Sequence, residues 1–193
     1  MAGRRLGFED TRGTLFFEIA RIVKYKQPRL LLLENVKGLL SHDKGKTFAL
    51  ILSTLHELGY DTQWQVLNSK NFGVPQNRER VFIVGHLRET SKPEVFPIRQ
   101  GSQADYVLPT LTARYYGAQA TGGYIRKKQA SDKGIKIRRL TPKECEILQG
   151  FPDDWTLEGV EGAVSDAQRY KVLGNAVTTN VISAVYSHFL LHK

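Results

Sequence analysis

Glu34 is the carboxylate with the clearest chemical potential in this chain, because Leu30–Leu33 form an uninterrupted apolar block directly before it. Such a block reads as a strand buried on both faces of a parallel sheet, and open α/β sheets hold their ligands outside the C-terminal ends of their strands. A carboxyl group emerging there is partly desolvated. That raises its pKa and makes its protonated form available as a general acid or as a donor to a ring nitrogen. The same position also suits a glutamate that caps a helix or pairs with an arginine, and the residues alone leave both readings open. Arg78 and Arg80 alternate with Glu79 at the entrance to another strand. Period two puts both guanidiniums on one face, where they can hold a phosphate or carboxylate by bidentate bonds, or lie along a solvated sheet edge. Gly174-Asn175 precedes the last helical segment. Glycine lets the backbone approach closely and the amide can donate and accept, which serves a binding loop or a simple turn and N-cap equally.

Other chemistries do not survive inspection. Ser41-His42-Asp43 has the residue types of a hydrolytic triad, but three consecutive loop residues cannot point at one another as a triad requires. Gly45-Lys46-Thr47 ends like a phosphate-binding loop, yet Leu40 stands where the earlier glycine belongs. His42, His56, His86, His188 and His192 show no metal-ligand spacing. A single cysteine, Cys145, makes neither an internal disulfide nor a cysteine-based metal site. It lies on the side of Leu148 in a capped helix and reads as a small core residue. A reducing, cytoplasmic location is expected.

The elements that must position these groups come next. Thr14–Lys26 is expected to form an amphipathic helix with Leu15, Ile19, Ile22 and Val23 on its buried face and Phe16 widening it, stopped by Pro28. Arg29–Val36 is the buried strand, Lys46–Leu58 a second helix closed by Gly59, and Tyr60–Val66 a half-buried alternating strand. Val81–Gly85 is a further strand, close enough in sequence to Tyr60–Val66 to pair with it antiparallel at the sheet edge. From Arg88 to Ile137 the texture turns to Gly, Ser, Gln, Lys and Arg, with short strands expected at Leu108–Thr112 and Gly123–Arg126. Order returns at Thr141-Pro142-Lys143-Glu144, a capping box with proline at the first helical position. That helix ends at Gly150, and a closing helix spans about Thr178–Leu191. The organisation expected is therefore 1–87 for a partial catalytic domain, 88–137 for a short recognition or linker region, and 138–193 for C-terminal motifs and a helix returning to the first part.

Composition sets outer limits. The net charge of +9 favours a polyanion such as DNA or RNA as partner, without choosing one. No apolar run approaches the ~18 residues of a membrane span. Met1–Arg5 is basic but is not followed by the apolar core of a signal peptide.

Taken together and in order, several segments resemble the DNA cytosine-5 methyltransferase family. Gly7–Phe16 is similar to the segment after that family's catalytic loop. Glu34-Asn35-Val36 matches its Glu-Asn-Val motif, and Gln76-Asn77-Arg78-Glu79-Arg80 its Gln-x-Arg-x-Arg motif. Arg139–Cys145, continuing through Gly150-Phe151-Pro152, resembles the motif that supports target recognition, and Gly174-Asn175-Ala176-Val177 matches the last motif.

The resemblance implies an α/β fold: a partial doubly wound mixed sheet, the second half of an S-adenosylmethionine-dependent methyltransferase, with a small irregular C-terminal region and a closing helix. It implies a reaction in which a cysteine attacks C6 of a flipped cytosine and C5 takes a methyl group from S-adenosylmethionine. Glu34 would contact N3 and assist protonation, and Arg78 and Arg80 would stabilise the base and the cysteine loop. Leu15, Asn175 and Val177 would line the cofactor pocket, and double-stranded DNA would be the partner. The family's glycine-containing cofactor loop, its acidic residues for ribose and adenine, and its Pro-Cys loop find no counterpart here, and the stretch from Arg88 to about Gln103 is short for a recognition domain. The expectation is a chain completed by a companion that carries the missing motifs. The rival readings are a DNA-binding accessory without chemistry and an inactive remnant.

Overall fold

The computed structural model describes residues 11–88, 94–101, 108–113, 124–128, 135–160 and 162–191. In chain order the helices are α1 (Thr11–Lys26), α2 (Lys46–Glu57), α3 (Pro142–Gln149), α4 (Asp166–Asn175) and α5 (Thr179–Leu191). The strands are β1 (Leu30–Val36), β2 (Tyr60–Asn68), β3 (Gln76–Asn77), β4 (Glu79–Leu87), β5 (Leu108–Pro109), β6 (Tyr124–Lys128), β7 (Ile135–Arg139), β8 (Glu158–Gly159) and β9 (Gly162–Ala163). This mixed α/β chain divides into two compact units, with boundaries at Leu67/Asn68, Arg78/Glu79, Ile98/Arg99 and Tyr186/Ser187.

The first unit is a three-stranded sheet in the order β1-β4-β2, with α1 and α2 packed on it. Its core joins Val23 of α1, Leu31 of β1, Phe48, Ile51 and Leu55 of α2, and Tyr60, Val81 and Ile83 of the sheet. Arg88 N donates to Gly59 O at 2.9 Å, which ties the end of β4 to the start of β2 as an antiparallel pair requires. Beyond β4 the chain returns to β2 through side chains rather than a strand ladder. Gln63 Oε1 accepts from Val95 N (2.9 Å) and Phe96 N (3.2 Å), and Gln65 Oε1 accepts from Ile98 N (2.8 Å). Period two on β2 puts both glutamines on one face, so they act as surrogate backbone for this strap.

Two expectations for this unit need correction. Strand β1 is not buried in a parallel sheet: it pairs antiparallel with β4, and Leu30, Glu34, Asn35 and Val36 are exposed. An apolar run signals hydrophobic surroundings, not strand direction. Helix α1 begins one turn earlier than expected and buries only the Phe16 and Val23 side of the expected stripe. Ala20 and Val23 are covered, while Leu15 (62 % exposed), Ile19 and Ile22 (52 %) face outward. The covered line and the outward line of Leu15, Ile19 and Ile22 lie about 100° apart around the helix, and the three strands of this sheet cover only the first.

In the second unit, Leu108, Leu111, Leu140, Cys145, Leu148 and Leu173 form the core. The capping box holds as expected: Thr141 Oγ1 accepts from Glu144 N (3.3 Å), Thr141 N donates to Glu144 Oε2 (2.7 Å), and Gly150 closes α3 at φ 75°. Helix α4 was not expected. Only Arg169, Leu173 and Gly174 of its ten residues are buried, so it carries almost no apolar periodicity, and its start is marked by Ser165, whose Oγ accepts from Gln168 N. The short strands expected at Leu108–Thr112 and Gly123–Arg126 are present as β5 and β6, and β6 pairs antiparallel with β7, which was not expected, with Tyr124 opposite Arg139 and Lys128 opposite Ile135.

Candidate active site

The site residues of the first unit are set by the β1–β4 register. Glu34 is opposite Phe82 and Val36 is opposite Arg80, which makes Glu34 and Arg80 diagonal neighbours on one face of the ladder. Arg80 Nε donates to Glu34 Oε1 at 2.8 Å, and the two side chains are 16 % and 29 % exposed. Arg80 Nη1 also donates to Glu79 O at 2.8 Å. Burial pulls the guanidinium below its ordinary pKa, while the charge and hydrogen bond of Glu34 oppose that pull. Arginine remains a cation under these conditions. Of the readings open for Glu34, the structure shows the arginine pair, made near the C-terminal end of the strand and still in contact with solvent. Lys37, the residue after β1, places Nζ 2.9 Å from Glu79 Oε1 at the start of β4. Leu15 lies on the outward stripe of α1.

Arg78 does not share a face with Arg80. It lies between β3 and β4, and its side chain belongs to the second unit. There it is 2 % exposed: Nη1 donates to Leu111 O (2.9 Å), and Nη2 to Gly174 O (3.2 Å) and Ala176 O (2.6 Å). Three backbone carbonyls hold this guanidinium, so the strand period that predicted a shared face does not govern it. Neighbouring Gln76 is fully buried. Its Nε2 donates to Leu148 O (2.7 Å) and its Oε1 accepts from Leu111 N (3.0 Å).

Asn175 is the last residue of α4 and is exposed; Val177 is half-buried. Gly174 packs so closely on the Thr112–Ala113 backbone that a Cβ would collide with it, which explains glycine there. Asn175 also borders a groove of about 720 Å³ between the β8–β9 hairpin and α4, with Val160, Val164 and Val172 as apolar walls and Gln168 and Lys171 as polar ones. Apolar walls with a few polar groups suit one side of an adenosine-bearing cofactor. Among the described residues the lining has no carboxylate to take ribose hydroxyls.

Several polar residues escaped the sequence reading. Gln149 Nε2 donates to Leu173 O (2.7 Å), Thr178 Oγ1 donates to Gln149 Oε1 (3.0 Å), and Ser69 Oγ lies 2.7 Å from Thr178 Oγ1. Glu146 is fully buried and accepts from Arg169 Nη2 (3.0 Å), Thr156 N (2.8 Å), Thr156 Oγ1 (2.5 Å) and Asp154 N (2.8 Å). Burial pushes its carboxyl up, but the bonds from Thr156, Arg169 and Asp154 prevail and hold it below the usual range. The only available signal was a pair of polar residues, Glu146 and Gln149, next to core positions of a short helix. Cys145 is buried as expected, and desolvation with the charges of Glu144 and Glu146 pushes its thiol up to about 12. No group of His, Cys, Asp and Glu among the described residues could hold a metal ion. No described helix is long and apolar enough to cross a membrane.

Comparison with known proteins gives this geometry its context. The family profile described as C-5 cytosine-specific DNA methylase matches residues 1–112 and 99–190. The chain is 38 % identical over 233 residues to Type II methyltransferase M.SsoII of Shigella sonnei, covering 95 % of this chain and 59 % of the relative. Against Type II methyltransferase M1.ScrFI of Lactococcus lactis subsp. cremoris the identity is 37 % over 232 residues, covering 98 % of this chain and 58 % of that protein. The chain thus spans less than two thirds of these relatives' length. Its fold is that of a solved Spodoptera frugiperda DNMT2 variant, with a TM-score of 0.73 at 20 % identity over 98 % of this chain and 75 % of that one. A profile match along most of the sequence, with relatives above 35 % identity over nearly its whole length, shows that the chain belongs to the C-5 cytosine-specific DNA methylase family.

Proposed function

We propose that this chain serves a DNA cytosine-5 methyltransferase, in which a methyl group passes from S-adenosylmethionine to C5 of a flipped cytosine, and that a companion polypeptide supplies the nucleophilic cysteine and the rest of the cofactor pocket. The observation that carries this is the Glu34–Arg80 ion pair at 2.8 Å, a carboxyl fixed by one arginine yet still 29 % exposed. Its functional reading is that Arg80 orients Glu34, and that Glu34 holds a proton at N3 of the base as electron density builds on the ring. The base must leave the stack to reach such a group. S-adenosylmethionine supplies the methyl group when bound, and Leu15, Asn175 and Val177 are the residues of this chain that would hold it.

Within this reading Cys145 is not the nucleophile. A buried thiol with a pKa pushed up to about 12 is protonated at neutral pH and cannot attack a base. DNA binding rests on the net charge of +9 and on the Arg- and Lys-rich sequences of β6 and β7, a two-stranded ribbon of the kind that enters a major groove. Phosphate contacts would dominate, so affinity should fall steeply with salt and discriminate little between duplexes.

The test is transfer of labelled methyl from S-adenosylmethionine to mixed-sequence DNA. The purified chain alone should give none. Turnover retained after Cys145→Ala would show that a nucleophile is already present. Adding the portion of M.SsoII that this chain does not match, expressed separately, should restore activity, and Glu34→Gln should then lower the single-turnover rate about 10²–10⁴-fold with DNA affinity unchanged. Near-normal turnover by Glu34→Gln would reduce Glu34 to a structural residue. Salt-sensitive DNA binding without any restored activity would favour the accessory reading.

A further inference from the structure

The polar network of the second unit converges on one short turn. Helix α4 ends at Asn175, and Ala176 N returns to Val172 O at 2.9 Å. The carbonyls at such an end have no partner within the helix, and the helix dipole leaves negative potential there. Arg78 answers both needs. Its buried guanidinium donates to Gly174 O and Ala176 O, the carbonyls on either side of Asn175, and also to Leu111 O. Gln149 holds Leu173 O on the near side of the turn, and Thr178, bonded to both Gln149 and Ser69, fixes the far side. Gly174 O, Ala176 O, Leu173 O and the Thr178 hydroxyl, all in or beside the turn, are thus each held by a side chain from elsewhere in the unit. Asn175 itself stays exposed at the edge of the groove.

We propose that Arg78 is the positioning residue of the Asn175–Val177 turn, presenting that turn to the adenosine part of the cofactor, and that it does not touch the target base. This rests on the cofactor assignment made under the proposed function. It separates two arginines that stand two positions apart in one motif: Arg80 orients an acid, and Arg78 shapes a binding loop. Lysine in place of Arg78 keeps the charge but lacks the planar fork that spans several carbonyls.

The experiment uses the full chain and the variants Arg78→Met, Arg78→Lys and Arg80→Met. Amide hydrogen exchange by NMR should be at least tenfold faster at Gly174–Val177 in Arg78→Met, with an intermediate change in Arg78→Lys and none in Arg80→Met. Exchange at Leu31–Leu33 and Ile83 should stay as in the wild type. Should Arg78→Met fail to fold, Arg78→Lys against wild type carries the same comparison. Saturation-transfer NMR with millimolar S-adenosylhomocysteine supplies the second readout. Transfer to the adenine protons should fall severalfold in Arg78→Lys, compared with wild type well below both thermal midpoints so that the folded populations are equal. Unchanged exchange in the turn, or unchanged transfer despite a loosened turn, overturns the role given to Arg78. Absence of transfer from the wild type, repeated with the separately expressed M.SsoII portion added, overturns the cofactor assignment and removes the role with it.

Discussion

Two glutamate–arginine pairs divide this molecule by purpose. In the first unit Arg80 meets Glu34 at 2.8 Å, and both side chains keep contact with solvent. In the second, Arg169 meets Glu146 at 3.0 Å with 7 % and 0 % of the side chains exposed, and Glu146 also takes both donors of Thr156 and the amide of Asp154. Buried charge is tolerable only when its hydrogen-bonding capacity is filled, and filling it fixes the 154–156 loop. The Glu34 pair lacks that enclosure, so it contributes little to stability and leaves a carboxyl that a ligand can reach. Ion-pair distance does not distinguish a structural pair from one open to substrate; enclosure does.

The comparison can be broken at its structural end first. Glu146→Ala leaves the buried Arg169 with only its longer 3.8 Å ion pairs to Asp154 and Asp166, and should destabilise the chain by about 3 kcal/mol in urea denaturation. A loss under ~1 kcal/mol, the range of an exposed pair, would erase the contrast.

Acid sharpens the same contrast. The hydrogen bond from Arg138, joined by those from Thr141, holds Glu144 well down at about 2, and Glu146 is also held below the usual range. Carboxyls with depressed folded-state pKa values add stability that is present above their unfolded values and lost as pH falls through the folded ones. The thermal midpoint should therefore drop progressively from the usual carboxylate range near pH ~4.3 toward about 2. Glu144→Gln should show a shallower drop. An equal pH slope in that variant would remove Glu144 from the account.

Glu34→Gln probes the other end. Stability should change by no more than ~1 kcal/mol, because an accessible pair gains little over its separately hydrated partners. A loss comparable to that of Glu146→Ala would mean that Glu34 is part of the scaffold. Smallest of all is the exposed Lys37–Glu79 pair at 2.9 Å. Lys37→Met should shift the urea midpoint only slightly, and added salt should abolish the difference between variant and wild type.

Much of the scaffold was legible because its signals are local. The Thr141–Glu144 capping box, the α2 stripe and the alternation of β2 each follow from residues within a turn or a strand of one another. Cys145 was legible as core for the same reason, lying one turn from Leu148. Helix α4 was hidden because its buried side is an arginine, a leucine and a glycine, a set without hydrophobic rhythm. Strand β6 was legible in part, but its pairing with β7 was hidden because the partner and register of a strand are not set by residues within it.

The sequence by itself determined the family, the order of its motifs, and that Glu34 and the two arginines are the groups with chemical capacity, since residue type and spacing along the chain carry that information. Only the tertiary structure decided what each group does with it. Antiparallel pairing of β1 with β4 made Glu34 and Arg80 diagonal neighbours. The carbonyls of Leu111, Gly174 and Ala176, distant in sequence, drew Arg78 into a buried clamp. Hydrogen bonds between residues as far apart as Arg78 and Ala176 depend on how the backbone closes in space, and no local periodicity encodes that closure.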